Sequence, residues 1–359
     1  IGIMGAWNYQ ILLTLSPLVD AIAGGNHAIL KPSEIAPKSA EMLKEIINTE
    51  FESDYIHCVT GDAEMAKEFS SLPFDHLFFT GSTRVGKLIM AAAAPNLTPV
   101  TLELGGKSPA IIHESYSLQR AVKRIMAGKL FNGGQTCVAP DYVMLPKDLN
   151  KDFEKLAKES VAKFYPDIRE NEQYSWIINN SHFERLNALL KDAEQKGARI
   201  VELSTENIQK EALMTPKLIF NVNDEMEIMK EEIFGPLLPV LNFETTEAAV
   251  AYVNDKPKPL ALYYFDNNKT RVNKLLKNTL SGGVTINDTV YHLAQHNLPF
   301  GGVGASGMGH YHGFDGFKTF SKKRAVMHQR KFAASDFLHP PYTGFKKKLI
   351  SIMGSLSKV

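Results

Sequence analysis

IGIMGAWNYQILLTLSPLVDAIAGGNHAILKPSE, residues 1–34, reads as strand, helix, strand. Residues 1–6 form a short apolar run that ends in a turn. Residues 10–23 place Ile11, Leu12, Leu15, Leu18, Val19 and Ile22 at helical spacing, closed by Gly24 and Gly25. Pro17 inside that helix predicts a kink and irregular first turns. Residues 27–30 are the next strand. The alternation continues through helix 37–51, strand 55–59, helix 63–72, strand 76–79, helix 83–94 and strand 99–104. Short apolar strands separated by amphipathic helices predict a Rossmann-like parallel sheet with right-handed crossovers. Ligands on such sheets bind at the carboxyl ends of the strands.

A second α/β region follows Gly106. Helix 118–130 leads into a glycine-rich loop, followed by strand 142–145, helices 151–164 and 182–195, and strands 199–203 and 217–222. Loop 231–236, helix 246–254, strand 261–265, helix 270–278 and strand 283–287 complete it. The expected organisation is a cofactor-type domain over 1–104, a thiol-bearing domain over 105–300, and a segment 301–359 that serves dimerisation. PFGGVGASGMG, residues 299–309, is a glycine-rich loop over a cleft. The tail joins Lys346, Lys347 and Lys348 to Leu349, Ile350, Ile352, Met353 and Leu356. A solvated terminal helix is preferred for it over firm membrane association. Because the chain opens directly on a strand with no capping leader, further residues are expected ahead of Ile1.

Composition narrows the function classes. The 359 residues are 44% hydrophobic, enough for two domains with cores. Lys plus Arg number 40 against 39 Asp plus Glu, so no global field for nucleic acid or acidic substrates exists. The two cysteines, Cys58 and Cys137, are too few for a disulfide framework and imply a reducing, cytoplasmic setting. His292 and His296 are four apart in HLAQH, but Leu293 stands where a zinc-hydrolase motif needs Glu. His310 and His312 flank an aromatic residue without a carboxylate partner. All four read as packing or tunnel residues, no metal is expected, and Cys58 reads as an inert strand residue.

The chemistry concentrates in a few stretches. In FNGGQTCVAP, residues 131–140, Gly133 and Gly134 let the backbone turn tightly before Cys137 and leave its sulfur accessible. Alone, Cys137 reads as an inert buried thiol; its company changes that. Asn8, between Trp7 and Tyr9 at the first strand end, offers an amide donor to a developing oxyanion, or else a helix cap. Lys31, Ser33 and Glu34 at the second strand end suit a ribose, and a carboxylate there favours NAD over NADP; the competing role is helix capping by Ser33 with Glu34. Gly81 and Ser82 open a helix whose N-terminus suits a pyrophosphate, although no GxGxxG follows the first strand. Glu103, beside Gly105 and Gly106, is a candidate general base if burial raises its pKa.

Together these stretches resemble the aldehyde dehydrogenase superfamily over essentially the whole chain. The matching runs are AWNY (6–9), KPSE (31–34), FTGSTRVGK (79–87), LELGGKSP (102–109), GGQTC (133–137), EEIFGP (231–236) and PFGGVGASGMG (299–309). FTGSTRVGK and GQTCVAPDYV look most like the class 3 branch, while LAQHNLPFGG and GHYHGFDGFKTFS look like its coniferyl aldehyde dehydrogenase type. The resemblance implies that Cys137 attacks the aldehyde, that Asn8 and the Cys137 N–H form the oxyanion hole, and that Glu103 activates water against the thioester. It implies cofactor contacts from Trp7, Lys31, Ser33, Glu34, Gly81, Ser82 and Leu104. Glu232 would hold the nicotinamide ribose, Phe234 would pack near the ring, and Tyr9 would line the substrate tunnel. The expected activity is oxidation of an aromatic or medium-chain aldehyde to its acid with NAD, or NADP, in a homodimer. A departure is Ala6, where the family usually has Pro before the Trp. Two rivals stand beside this reading. A coenzyme A-acylating enzyme would not need Glu103, and a catalytically silent relative would not keep Cys137, Asn8, Glu103 and Glu232 together.

Overall fold

The alternation of the first hundred residues folds as expected in the computed structural model, which describes residues 1–204 and 212–356. In order come β1 (Gly2–Met4), α1 (Leu12–Ala23), β2 (Ala28–Lys31), α2 (Pro37–Glu50), β3 (Ile56–Cys58), α3 (Ala63–Ser70), β4 (Leu77–Thr80), α4 (Thr83–Ala93) and β5 (Val100–Glu103). These strands pair in parallel in the order β5-β4-β1-β2-β3. Polar caps start the helices: the Asp62 carboxylate accepts from the N–H groups of Glu64 and Met65, and Ser82 from that of Val85. Pro17 does not end α1. The irregularity lies just ahead of it, where the Ile11 carbonyl accepts from both Thr14 (3.3 Å) and Leu15 (2.9 Å).

The second half continues with β6 (Pro109–Ile112), α5 (Leu118–Leu130), β7 (Tyr142–Leu145), α6 (Asn150–Phe164), α7 (Asn180–Gln195), β8 (Arg199–Glu202), β9 (Lys217–Phe220), α8 (Glu227–Lys230), β10 (Leu237–Asn242), α9 (Thr246–Asn254), β11 (Ala261–Phe265), α10 (Lys269–Asn278) and β12 (Gly283–Ile286). Its sheet runs β12-β11-β6-β7-β10-β9-β8, parallel except for β8 against β9. Two central strands, β6 and β10, were not anticipated from the sequence. Pro239 inside β10 argues against a central strand, because it cannot donate to a ladder. The strand accommodates it by changing partner: residues 237–239 pair with β9, and residues 240–242 pair with β7. In β11 every residue is buried, and its two phenols find acceptors, Tyr263 on the Val138 carbonyl and Tyr264 on Asp266 Oδ2 at 2.8 Å.

The glycine-rich loop returns to the first sheet. β13 (Gly307–Met308) pairs antiparallel with β5, setting Gly307 opposite Glu103. α11 (Gly313–Thr319) follows. Among the described residues, one of three apolar clusters joins both sheets, including Ile3, Leu30 and Phe78 from the first and Ile112, Val143 and Phe265 from the second. Residues 322–359 form a separate unit. Within it α12 (Gly344–Leu356) has Phe345, Ile352 and Met353 exposed, and Lys346 Nζ donates to the His339 carbonyl at 2.6 Å. The tail's last three residues lie outside the described ones. Among the described residues no helix is long and apolar enough to cross a membrane.

Candidate active site

The thiol stands where the two sheets meet. α5 ends at Leu130, and the chain then passes through three residues with positive φ, Asn132 (52°), Gly133 (62°) and Gly134 (79°). Asparagine and glycine are the residues that tolerate this conformation, so the turn is written into the sequence. Gly134 is also required sterically, because a Cβ there would lie 2.3 Å from the Gly235 carbonyl oxygen. Gln135 locks the loop: its Nε2 donates to the carbonyls of Asn132 (3.1 Å) and Trp176 (3.0 Å), and its Oε1 accepts from the Ile178 N–H (2.9 Å). Cys137 emerges half-buried, its sulfur facing the backbone N–H groups of Cys137 and Val138.

Asn8 and Tyr9 reach the same loop from the end of β1. The Asn8 Nδ2 donates to the Gln135 carbonyl at 3.1 Å, and Asn132 Nδ2 donates back to the Asn8 carbonyl at 3.0 Å. One amide hydrogen of Asn8 is thereby spent on holding the side chain, leaving the second for another acceptor. Asn8 does not cap α1, whose N-cap is Ile11. The Tyr9 hydroxyl lies 2.6 Å from Thr136 Oγ1, and its ring stacks on that of Phe131 at 6.2 Å.

Glu103 closes β5 and is buried, 3% exposed, with no hydrogen-bond partner on either carboxylate oxygen. Desolvation therefore holds its pKa well above the ordinary carboxylate value. The Cys137 thiol is pushed up to about 12, first by burial and then by the nearby charges of Glu232 and Glu103, against the lowering effect of the two N–H groups. At neutral pH the resting thiol is therefore protonated. The buried phenols of Tyr263 and Tyr311 lie near enough to feel the charge of that sulfur.

A second cluster flanks the thiol. The Glu232 carboxylate lies against Gly105, where a Cβ would come within 2.2 Å of Oε2, and it accepts from the Gly106 N–H. Burial and Asp141 raise its pKa to about 8. The Trp7 ring sits between Phe234 (5.3 Å, edge-on) and His182 (5.0 Å). Farther out, Lys31 Nζ is buried and pairs with exposed Glu34 Oε2 at 3.0 Å. The capping alternative for Ser33 does not apply: α2 begins from Ala36 with Pro37 in its first turn, and Ser33 Oγ accepts from Ile35 N–H at 3.3 Å. Gly81 and Ser82 start α4, and Leu104 packs under Gly86 in that helix.

These residues fit a dinucleotide. An ammonium and a carboxylate side by side match a vicinal diol, an open helix start suits a pyrophosphate, and the space kept by Gly105 holds a second carboxyl for a second ribose. Lys129, Asp141, Lys107, Arg185 and Gln135 also belong to the surroundings and were not singled out from the sequence. Lys107 and Gln135 lie inside the LELGGKSP and GGQTC runs and Lys129 and Asp141 stand next to the thiol loop, but nothing local marks Arg185, whose contacts are made across the fold. Lys129 is fully buried, and burial lowers its pKa to about 8. Three of the four histidines pack on rings, His292 beside Tyr263 and Phe300, and His312 stacked on Phe300 beside His296, while His310 is exposed. Among the described residues no three His, Cys, Asp or Glu side chains gather as a metal site. Cys58 is buried in β3, its pKa raised to about 11.

The model of the aldehyde dehydrogenase family matches residues 1–326. A probable coniferyl aldehyde dehydrogenase of Pseudomonas aeruginosa is 49% identical over 350 residues, which is 98% of this chain and 73% of that protein. The 4,4'-diaponeurosporen-aldehyde dehydrogenase of Staphylococcus aureus is 40% identical over 343 residues, 95% of this chain and 74% of that one. Among solved structures, the substrate-bound state of Staphylococcus aureus AldH superposes with a TM-score of 0.91 at 40% identity, covering 98% of this chain and 76% of that one. An indole-3-acetaldehyde dehydrogenase complexed with NAD+ superposes with a TM-score of 0.82 at 26% identity, covering 89% and 66%.

Proposed function

The chain belongs to the aldehyde dehydrogenase family and oxidises an aldehyde to the carboxylic acid with NAD(P), and from that premise we propose which residues carry the reaction and which aldehyde it takes. Cys137 is the nucleophile: its sulfur adds to the carbonyl carbon, the thiol proton passes to solvent water, and the carbonyl oxygen becomes the oxyanion of a thiohemiacetal. The oxyanion that develops is met by the second amide hydrogen of Asn8 and the Cys137 N–H, both fixed by the Gln135 loop before substrate arrives. When bound, NAD(P) accepts the hydride that leaves the former aldehyde carbon, so the carbon reaches the oxidation level of a thioester. Glu103 then takes a proton from water as the water oxygen attacks that thioester, and the sulfur departs as the acid forms. A buried, unpartnered carboxyl with a raised pKa supports that role, and it favours hydrolysis over transfer to coenzyme A.

Lys31, Ser33 and Glu34 take the adenosine ribose, Gly81, Ser82 and Leu104 lie along the pyrophosphate, and Glu232 takes the nicotinamide ribose with Phe234 and Trp7 beside the ring. Glu34 disfavours a 2′-phosphate and so favours NAD. The substrate is an aromatic aldehyde of the coniferyl class. The stacked rings of Tyr9 and Phe131 at the thiol support this, as do relatives named coniferyl aldehyde dehydrogenases. The division proposed is 1–104 for the cofactor part, 105–300 for the thiol part and 301–359 for the C-terminal part, with a cytoplasmic homodimer as the proposed assembly.

The observation that carries this reading is the convergence of Cys137, Asn8 and Glu103 from three separate strand ends and loops. The test is NADH formation with aromatic and aliphatic aldehydes. Cys137→Ser is expected to lower turnover by about three orders of magnitude or more. Wild-type turnover in that variant would overturn the assignment, and a preference for short aliphatic aldehydes would overturn the substrate class.

A further inference from the structure

Helix α7 begins between the two reactive loops. Its cap, Asn179, accepts from the His182 N–H at 2.9 Å, and the first two turns set His182, Arg185 and Leu186 on one face. His182 meets Trp7. Arg185 donates to the Glu232 carbonyl at 3.2 Å and the Ile233 carbonyl at 2.5 Å, and pairs with the Glu231 carboxylate at 2.9 Å. Leu186 occupies the space beside Gly235, where a Cβ would lie 2.6 Å from it. The lead-in to the same helix, residues 176–178, is tied to the nucleophile loop by Gln135. One helix thus holds both the thiol loop and the 231–236 loop.

The 231–236 loop needs holding. Phe234 has φ 52°, a strained conformation for a residue with a Cβ, and it persists only where the surroundings over-determine it. A second brace runs from half-buried Lys107 and buried Asp141: Lys107 pairs with Asp141 and donates to the Glu231 carbonyl at 3.0 Å, while Asp141 Oδ1 accepts from the Ile233 N–H at 2.9 Å. Arg185 is the half-exposed brace, and so the one that can be removed without burying an orphan charge.

We infer that Arg185 is a positioning residue for hydride transfer: by gripping the Glu232 and Ile233 carbonyls from α7, it fixes the distance and angle between the Glu232–Phe234 segment and the Cys137 loop. Its exposed pair with Glu231 contributes little; the grip on the carbonyls does the positioning. The inference rests on the reading of Glu232 and Phe234 as contacts on the nicotinamide side.

The test is steady-state kinetics of Arg185→Gln, Arg185→Lys, Glu231→Gln and Glu232→Gln, with ordinary and 1-deuterated aldehyde. Arg185→Gln is expected to raise the KM for NAD about tenfold or more, and to unmask a deuterium isotope effect on kcat, with the aldehyde KM unchanged. Arg185→Lys recovers part of the loss, and Glu231→Gln stays within about twofold of wild type. Iodoacetamide labelling of Cys137 without cofactor stays at the wild-type rate, since the thiol loop keeps its own bonds. Wild-type NAD KM and isotope effect in Arg185→Gln would overturn the inference. So would an equal loss for NAD and aldehyde accompanied by a lower melting temperature, which marks a purely structural role. Glu232→Gln separates the two levels. An unchanged NAD KM there contradicts the ribose assignment itself; a raised one with wild-type behaviour in Arg185→Gln contradicts only the brace.

Discussion

The chemistry of Cys137 is set by what surrounds its sulfur. Burial is the largest influence on the thiol, and the charge of Glu232 comes next, ahead of that of Glu103. Because Glu232 titrates at about 8, it is ionised over the alkaline range in which the thiol itself loses its proton. Replacing it by Gln removes a negative charge that opposes the thiolate, so the thiol pKa must fall. The pH profile of iodoacetamide labelling is expected to move to lower pH in Glu232→Gln by about one unit or less. An unmoved profile, or a move to higher pH, would contradict the proximity of these two groups. Glu103 teaches a related lesson about what one residue reveals. From sequence an isolated Glu near two glycines reads more readily as a surface charge than as a base. Its burial and lack of partners belong to the folded chain, where the β13 return sets Gly307 opposite it, and that pairing is not local.

At the scale of elements, the reactive turn depends on residues that are small for a reason the local pattern only half discloses. The sequence of Phe131–Gly134 announces a tight turn, and the positive φ values agree. The close approach of Gly235 to Gly134 was not visible, because it joins segments a hundred residues apart. Gly134→Ala forces both a strained φ and a clash with a backbone oxygen, and is expected to destabilise by about 1–3 kcal/mol. It also disturbs the thiol loop and the Glu232 loop together. A urea denaturation midpoint measures the first effect and NAD affinity the second; a variant of wild-type stability would contradict the packing described. The same limit explains β6 and β10. Their short apolar runs lack a period that distinguishes strand from loop, and Pro239 signals a break that the switch of partners avoids. Helix ends were legible at Asp62, Ser117 and Gly24, while the Asn179 and Asn268 caps start α7 and α10 one or two residues earlier than the apolar spacing indicates.

Across the whole molecule, the first sheet supplies Asn8, Lys31 and Glu103 from its strand ends, and the second half supplies Cys137 and Glu232 from loops that enter its own sheet. The order of the motifs along the chain made this division readable, since each motif falls at a strand end or glycine turn. What the order could not disclose is how the halves are held, through the bonds that Asn8 makes with Gln135 and Asn132 and the Tyr9–Thr136 contact, or how Gln135, Arg185 and the Lys107–Asp141 pair brace the loops of the second half. The account's central claim is that the thiol of Cys137 carries the acyl group and Glu103 releases it. Intact-protein mass spectrometry of Glu103→Gln mixed with NAD and an aromatic aldehyde measures this directly. The expected result is one acyl group per chain, located on the peptide that contains Cys137, with about one NADH formed before turnover stalls. Steady turnover at the wild-type rate with no adduct, or an adduct on any other residue, would contradict it.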